Sequence, residues 1–304
     1  MNEKGKITKL LEYLFSKGCC DGRQQADDDE PSLSKVLPAI LKDLNNEPSI
    51  TSLRCLNQLC NEKNGVNRIA MLCCCKWDVL TPLIYVMTKC DGKERRLACL
   101  ILANLSIPFE NKAVMALGNL SLPLFSALYS VIQERSPEAY IACICLANIS
   151  YLDDALEPIF QFSQTETVLS PLENSNSACR ILERVIQTCP YPPSKATVQS
   201  EAVRWTCVIL KYCSKSEINC SMIAKTTIPA YIVGYLNYTK NPLVKWTNGS
   251  VEDSSLQIIL HMCQWSETKE LLKRLNTVRV LQPIIGKGGI HDYRAVTVTC
   301  NLEI

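Results

Sequence analysis

The phrase Cys99-Leu-Ile-Leu-Ala-Asn-Leu-Ser106 returns, 44 residues on, as Cys143-Ile-Cys-Leu-Ala-Asn-Ile-Ser150. A long helical phrase recurring at that period is the mark of a stacked-helix solenoid. Each repeat of such a chain buries its apolar face against its neighbours, so the core grows linearly with length. The 304 residues could be two compact domains by length alone, and a solenoid escapes that count. Hydrophobic residues at 47% and charged residues at 20% supply a continuous core and are too apolar for disorder. Only 11 glycines occur, and evenly spaced turn dipeptides between alternating strands are missing, which argues against a sandwich or barrel.

Aligning the chain on Asn104 and Asn148 gives a ladder of further positions: Gln58 before them, then Tyr212, Gln264 and Asn301. Successive spacings are 46, 44, 64, 52 and 37 residues. The two long intervals carry insertions, near 164–197 and 239–252. The first contains Pro190, Pro192 and Pro193, the second Pro242, Asn248 and Gly249, as turn-rich connections between helices should. A shorter apolar helix precedes each long one, opened at Thr81-Pro82, Leu122-Pro123 and Ile228-Pro229, with a further one over Val280 to Ile285 around Pro283. Proline suits the first helical turn, where its missing N–H has no intrahelical partner to lose. Still shorter segments lie ahead of these, at Asn67 to Cys75, Asn111 to Leu117, Asn219 to Lys225 and Lys269 to Leu275.

One short and two longer helices per unit, with a proline-opened second helix and a third ending Leu-Ala-Asn-Leu-Ser, resembles the armadillo family. The resemblance runs from Leu33 to Ile304 as about six units and implies an all-α, right-handed αα-superhelix. Residues 1–32 stand apart: an amphipathic helix over Lys6 to Leu14 that could cap the stack, then the acidic run Asp27 to Glu30 as a solvated linker. In this family the third helices line the concave face, and their asparagines hold the backbone of an extended peptide. The resemblance therefore implies a peptide-binding ladder of Asn104, Asn148, Asn301, Gln58, Tyr212 and Gln264, with Trp205 seven residues before Tyr212 on the same helix face. An asparagine side chain both donates and accepts, so it can bracket a peptide unit. It can equally cap its own helix, and Trp205 can equally be core. The position four residues before each ladder residue is tryptophan in importin-alpha. Here it holds Leu100, Ile144, Val208, Leu260 and Thr297, so clamping of lysine stems is not expected.

Other chemistry has little material. Lysine plus arginine number 32 against 30 acidic residues, which leaves no electrostatic footprint for nucleic acid or an anionic membrane. No run of about 18 apolar residues suggests a membrane span. Eighteen cysteines without a secretory leader read as reduced thiols, mostly small buried hydrophobes such as Cys55, Cys60, Cys99, Cys143, Cys145, Cys207, Cys213, Cys263 and Cys300. The clusters Cys19-Cys20 and Cys73-Cys74-Cys75 lack CxxC spacing and a nearby histidine, so neither reads as zinc; lipidation of Cys19 or Cys20 is a weaker option. The two histidines, His261 and His291, are too few for a triad or a metal centre; His261 reads as a core residue and His291-Asp292 as a helix start. Gly286-Lys-Gly-Gly289 reads as a turn, not a phosphate loop.

The expected function is a non-enzymatic interaction scaffold, cytoplasmic or nuclear, with no cofactor. It would bind an extended or helical segment of a protein partner, without nucleic acid or membrane insertion. A fragment of a larger structural solenoid and an importin-alpha-like transport adapter are the alternatives. Val296, Val298, Cys300, Leu302 and Ile304 leave an apolar surface that could mediate association at the C-terminal end.

Overall fold

The computed structural model describes residues 33–61, 66–73, 77–160, 162, 177–189, 197–237 and 250–303. The expected capping helix and acidic linker of residues 1–32, the Cys19-Cys20 pair, Cys74 and Cys75, and most of the two insertions lie outside these residues. The chain divides into two compact units, Met1–Asn111 and Lys112–Ile304.

The first unit opens with two helices, α1 (Leu33–Asn46) and α2 (Ile50–Asn61). A triplet follows: α3 (Val66–Cys73), α4 (Leu80–Lys89) and α5 (Gly92–Leu105). Helix α2 packs on α5, and α4 on α5, around Leu53, Leu56, Leu83, Val86, Ile101 and Leu102. The turn into the next repeat is held by Asn111. This fully buried amide donates to the carbonyls of Leu105 and Arg68, both at 2.8 Å.

Helix α6 (Phe109–Leu117) leads into the second unit, with α7 (Ser121–Gln133) and α8 (Ala139–Ile149) completing its triplet. The next contains a 3₁₀ turn (Asp153–Ala155) running into α9 (Leu156–Phe160), then α10 (Ala178–Gln187) and α11 (Val198–Cys213). Two more triplets follow: α12 (Glu217–Ala224), α13 (Ile228–Asn237) and α14 (Val251–Met262), then α15 (Ser266–Arg274), α16 (Thr277–Leu281) and α17 (Ile290–Glu303). The third helices stack in order, α8 on α11, α11 on α14 and α14 on α17, with the second helices α7, α10 and α13 behind them. Every described regular element is helical, and the described residues form one leading pair and five triplets of an all-α, solenoid-type fold.

Local chemistry explains where the helices begin and end. Thr197 caps α11 reciprocally with Ser200, while Ser177, Ser216 and Ser250 accept from the third backbone N–H of α10, α12 and α14. Each third helix up to α14 stops at a hydroxyl or thiol that donates back three residues: Ser106 to Ala103 (2.7 Å), Ser150 to Ala147 (2.9 Å), Ser214 to Lys211 (2.9 Å) and Cys263 to Leu260 (3.1 Å). Behind the stack, the fully buried Tyr129 on α7 reaches the next repeat. Its hydroxyl donates to the Ile159 carbonyl at 2.9 Å and its ring stacks on Phe162 at 5.5 Å.

Two expectations shift. The helix expected over Val280 to Ile285 instead spans Thr277–Leu281, and Pro283, two positions on, has no N–H with which to continue the intrahelical ladder. Cys300, expected in the core, is exposed, whereas the thiols of Cys55, Cys143 and Cys179 are buried and pushed up to about 11, about 12 and about 12 by desolvation. The Gly286-Lys-Gly-Gly289 segment is a turn as read. Gly286, Gly288 and Gly289 take positive φ, and Asp292 accepts from the backbone N–H groups of Gly286 (3.0 Å) and Gly288 (2.8 Å).

Candidate functional site: the third-helix face

The face that the stacked third helices leave uncovered carries the predicted ladder, unit by unit. In the first unit Asn104 is half-buried on α5, one turn beyond half-buried Leu100. Its Nδ2 donates to Asn61 Oδ1 at 3.1 Å and lies 3.4 Å from Asn57 Oδ1, both on α2. The ladder therefore continues through Asn57 and Asn61, either side of the predicted Gln58, which is itself half-buried on the same helix. Capping does not account for Asn104: the helix is closed by Ser106, and the amide spans two helices instead.

In the second unit Asn148 is half-buried on α8, four residues after half-buried Ile144. Tyr212 occupies the equivalent place on α11, two residues before the terminating serine, and Trp205 lies half-buried two turns earlier with the Arg204 guanidinium 5.3 Å from its ring centroid. On α14 the equivalent place belongs to His261, two residues before Cys263. Gln264 lies three residues further on, exposed, beyond the end of the helix. His261 is thus not enclosed in the core as its sequence context suggested. Its Nδ1 lies 2.9 Å from Ser214 Oγ on the previous repeat. Asn301 on α17 donates to Cys263 Sγ at 3.4 Å, a third contact between successive third-helix ends.

Around Tyr212 the face deepens into a cleft of about 420 Å³. Lys211, Tyr212 and Lys215 line it from α11 and its end, Asp253, Gln257 and His261 from α14, and Ile290, His291 and Arg294 from α17. Asp253 anchors the floor at 2% exposure. Its Oδ1 pairs with Arg294 at 2.7 Å and its Oδ2 accepts from Gln257 at 2.8 Å, while His291 Nδ1 is 3.7 Å from Oδ1. Ser250, three residues before Asp253, spells the helix start. This stretch falls within the insertion expected near 239–252, whereas α14 already begins at Val251.

Aromatic rings and cations alternate beside the cleft. Tyr151, 58% exposed, meets Tyr212 edge to face with centroids 5.6 Å apart. Lys112 Nζ sits 6.0 Å from the Tyr151 ring centroid, and Lys211 and Lys215 sit 4.6 Å and 5.4 Å from that of Tyr212. Lys215 also pairs with Asp153 at 2.7 Å. Desolvation lowers the pKa of Lys112 and of Lys211 and depresses the His261 imidazole below its ordinary value. Among the described residues no group of three or more His, Cys, Asp or Glu side chains is placed to hold a metal ion.

No family model and no curated protein sequence matches the chain. Solved structures do. A designed armadillo repeat protein, YIII(Dq)4CqI, superposes with a TM-score of 0.64 at 14% identity, covering 88% of this chain and 99% of that one. A second, YIII(Dq.V1)4CPAF in complex with peptide (KR)4, gives 0.63 at 14% identity with the same coverage. A chain from a study of a phosphorylation switch in the interaction between cadherin and beta-catenin gives 0.55 at 11% identity, covering 90% of this chain and 62% of that one. At these identities the likeness is one of fold, and the fold of this chain is that of an armadillo-type repeat solenoid.

Proposed function

We propose that the chain is a non-enzymatic scaffold that binds an extended segment of a protein partner along its third-helix face. The observation that carries this is the second unit's row of half-exposed Asn148, Tyr212 and His261, one per repeat, opening into a walled cleft. A regular row of side chains that both donate and accept suits a backbone with its own regular repeat. The structural neighbours support the reading, since one of the designed armadillo proteins was solved with a peptide bound and the beta-catenin study concerns a protein partner. Selection of twelve-residue peptides on the full chain, followed by affinity measurement on the Asn148→Ala/Tyr212→Ala variant, tests it. Binding should fall by about tenfold or more, equivalent to about 1.4 kcal/mol, with an unchanged melting temperature. Undiminished binding of every selected peptide would remove this face as the site.

A second reading is association through the last helix. Ile290 (55% exposed), Tyr293 (67%) and Val296 (40%) form an apolar stripe along α17. It predicts self-association that Tyr293→Glu abolishes; a monomer by light scattering at high concentration would count against it. A transport adapter for basic cargo finds less support, because the cleft presents three cations, Lys211, Lys215 and Arg294, against the single lining carboxylate of Asp253.

A further inference from the structure

The cleft holds a charge that the fold itself does not balance. Lys211 is only 7% exposed, yet no described carboxylate lies within ion-pair distance of its ammonium. The nearby Asp253 does not serve, because both its oxygens are committed, one to Arg294 and one to Gln257. The partner of Lys211 within the chain is the Tyr212 ring, whose face supplies partial negative charge but no counter-ion. A cation whose stem is covered, whose head opens only into the cleft and which has no anion beside it has lost part of its hydration, and an incoming carboxylate offsets that loss directly. Lys215, over the same ring and exposed, adds a second positive charge at the mouth, where its pairing with the exposed Asp153 leaves it within reach of a further anion.

Resting on the groove reading above, we propose that the segment bound on this face is acidic: an aspartate or glutamate side chain of the partner enters the cleft and pairs with Lys211 and Lys215, and the flanking residues lie over Tyr212 and Tyr151. Two features favour a peptide over nucleic acid. The chain carries a net charge of only +2, so no broad cationic field attracts a polyanion. The cleft is also a local recess of about 420 Å³ with Asp253 in its floor, which suits a single side chain better than a run of phosphodiester groups. The binding preference is then opposite in sign to that of a groove that takes the basic peptide (KR)4.

Fluorescence anisotropy on the full chain, with three labelled ten-residue peptides alternating leucine with glutamate, glutamine or lysine, tests this. The glutamate peptide should bind about tenfold tighter than the glutamine one, and the advantage should shrink between about 50 and about 300 mM salt. Lys211→Met keeps the buried stem and removes the charge; Lys215→Gln does the same at the exposed position, where folding is not at stake. Each should erase most of the glutamate advantage while leaving glutamine binding unchanged, with circular dichroism confirming helix content. Equal or tighter binding of the glutamine or lysine peptide would overturn the acidic preference and leave the groove reading standing. Binding of a phosphoserine-containing peptide with none of the glutamate peptide would overturn the carboxylate assignment. Absence of binding by all three, together with selected peptides indifferent to Asn148→Ala/Tyr212→Ala, would overturn both.

Discussion

Replacing Asp253 by asparagine isolates one charge in the floor of the cleft. The carboxylate joins α14 to α17 through its 2.7 Å pairing with Arg294, whose side chain is 20% exposed, and it sits in the first turn of α14. Asparagine keeps the shape and one acceptor for Gln257 but leaves Arg294 half-buried without a counter-charge. Removing one partner of a buried ion pair costs about 3–5 kcal/mol, and the residual exposure of Arg294 argues for the lower end, about 3 kcal/mol. Loss of the favourable charge near the start of α14 contributes about 0.3–1 kcal/mol of the same sign. The total is about 3–4 kcal/mol, and for a cooperative unit of about 150–250 residues each kcal/mol is worth about 2–4 °C, so the Lys112–Ile304 unit should melt about 7–16 °C lower. The double variant Asp253→Leu/Arg294→Met removes both charges and should recover to within about 1 kcal/mol of the original chain. Calorimetry on the three proteins decides the matter. A single variant melting within about 2 °C of the parent, or a double variant less stable than the single one, would refute the assignment of a desolvated pair whose cost falls on the partner left behind.

Two further outcomes can be checked by denaturation. Tyr129→Phe leaves the ring stack on Phe162 intact but deprives the buried Ile159 carbonyl of its donor, and should cost about 1–2 kcal/mol in urea titration; no loss would mean that the hydroxyl contributes nothing. Burial depresses the His261 pKa, so the unfolded chain takes up that proton first as the pH falls, and stability drops once the pH passes below the ordinary histidine range of about 6.5. His261→Gln should shrink the difference in urea midpoint between about pH 7.5 and about pH 5.5, and an undiminished difference would place the acid sensitivity elsewhere.

The helices were legible because the apolar phrases are long, recur and are punctuated by proline and serine. Segments expected at Asn111 to Leu117 and Asn219 to Lys225 form helices at Phe109–Leu117 and Glu217–Ala224. The ladder was legible only where the phrase is well kept. Asn104 and Asn148 stand two residues before a terminating serine, and Tyr212 does the same. On α14 the serine is replaced by Cys263, whose thiol does the same work under a different letter, and the sequence register slipped by three residues to Gln264 while His261 took the place. Asp253 was missed for a related reason. Its role depends on Arg294, 41 residues away, and only the Ser250-x-x-Asp253 start signal is local. Charge balance in the cleft is likewise a property of three helices together. Local composition near Lys211 says nothing about whether its counter-ion is already taken.

Ser106, Ser150, Ser214 and Cys263 each donate to a carbonyl of their own last turn, although Ser214 and Cys263 also meet His261 and Asn301 of the following repeat. The stop instruction is therefore carried inside each module and asks nothing of the module beside it. Whole modules can then be duplicated, lost or padded with extra chain without rewriting the signal that ends the next one. What such rearrangement does disturb is the set of seam contacts, such as those of Asn111 and Tyr129, so divergence should proceed quickly within modules and slowly where two of them meet.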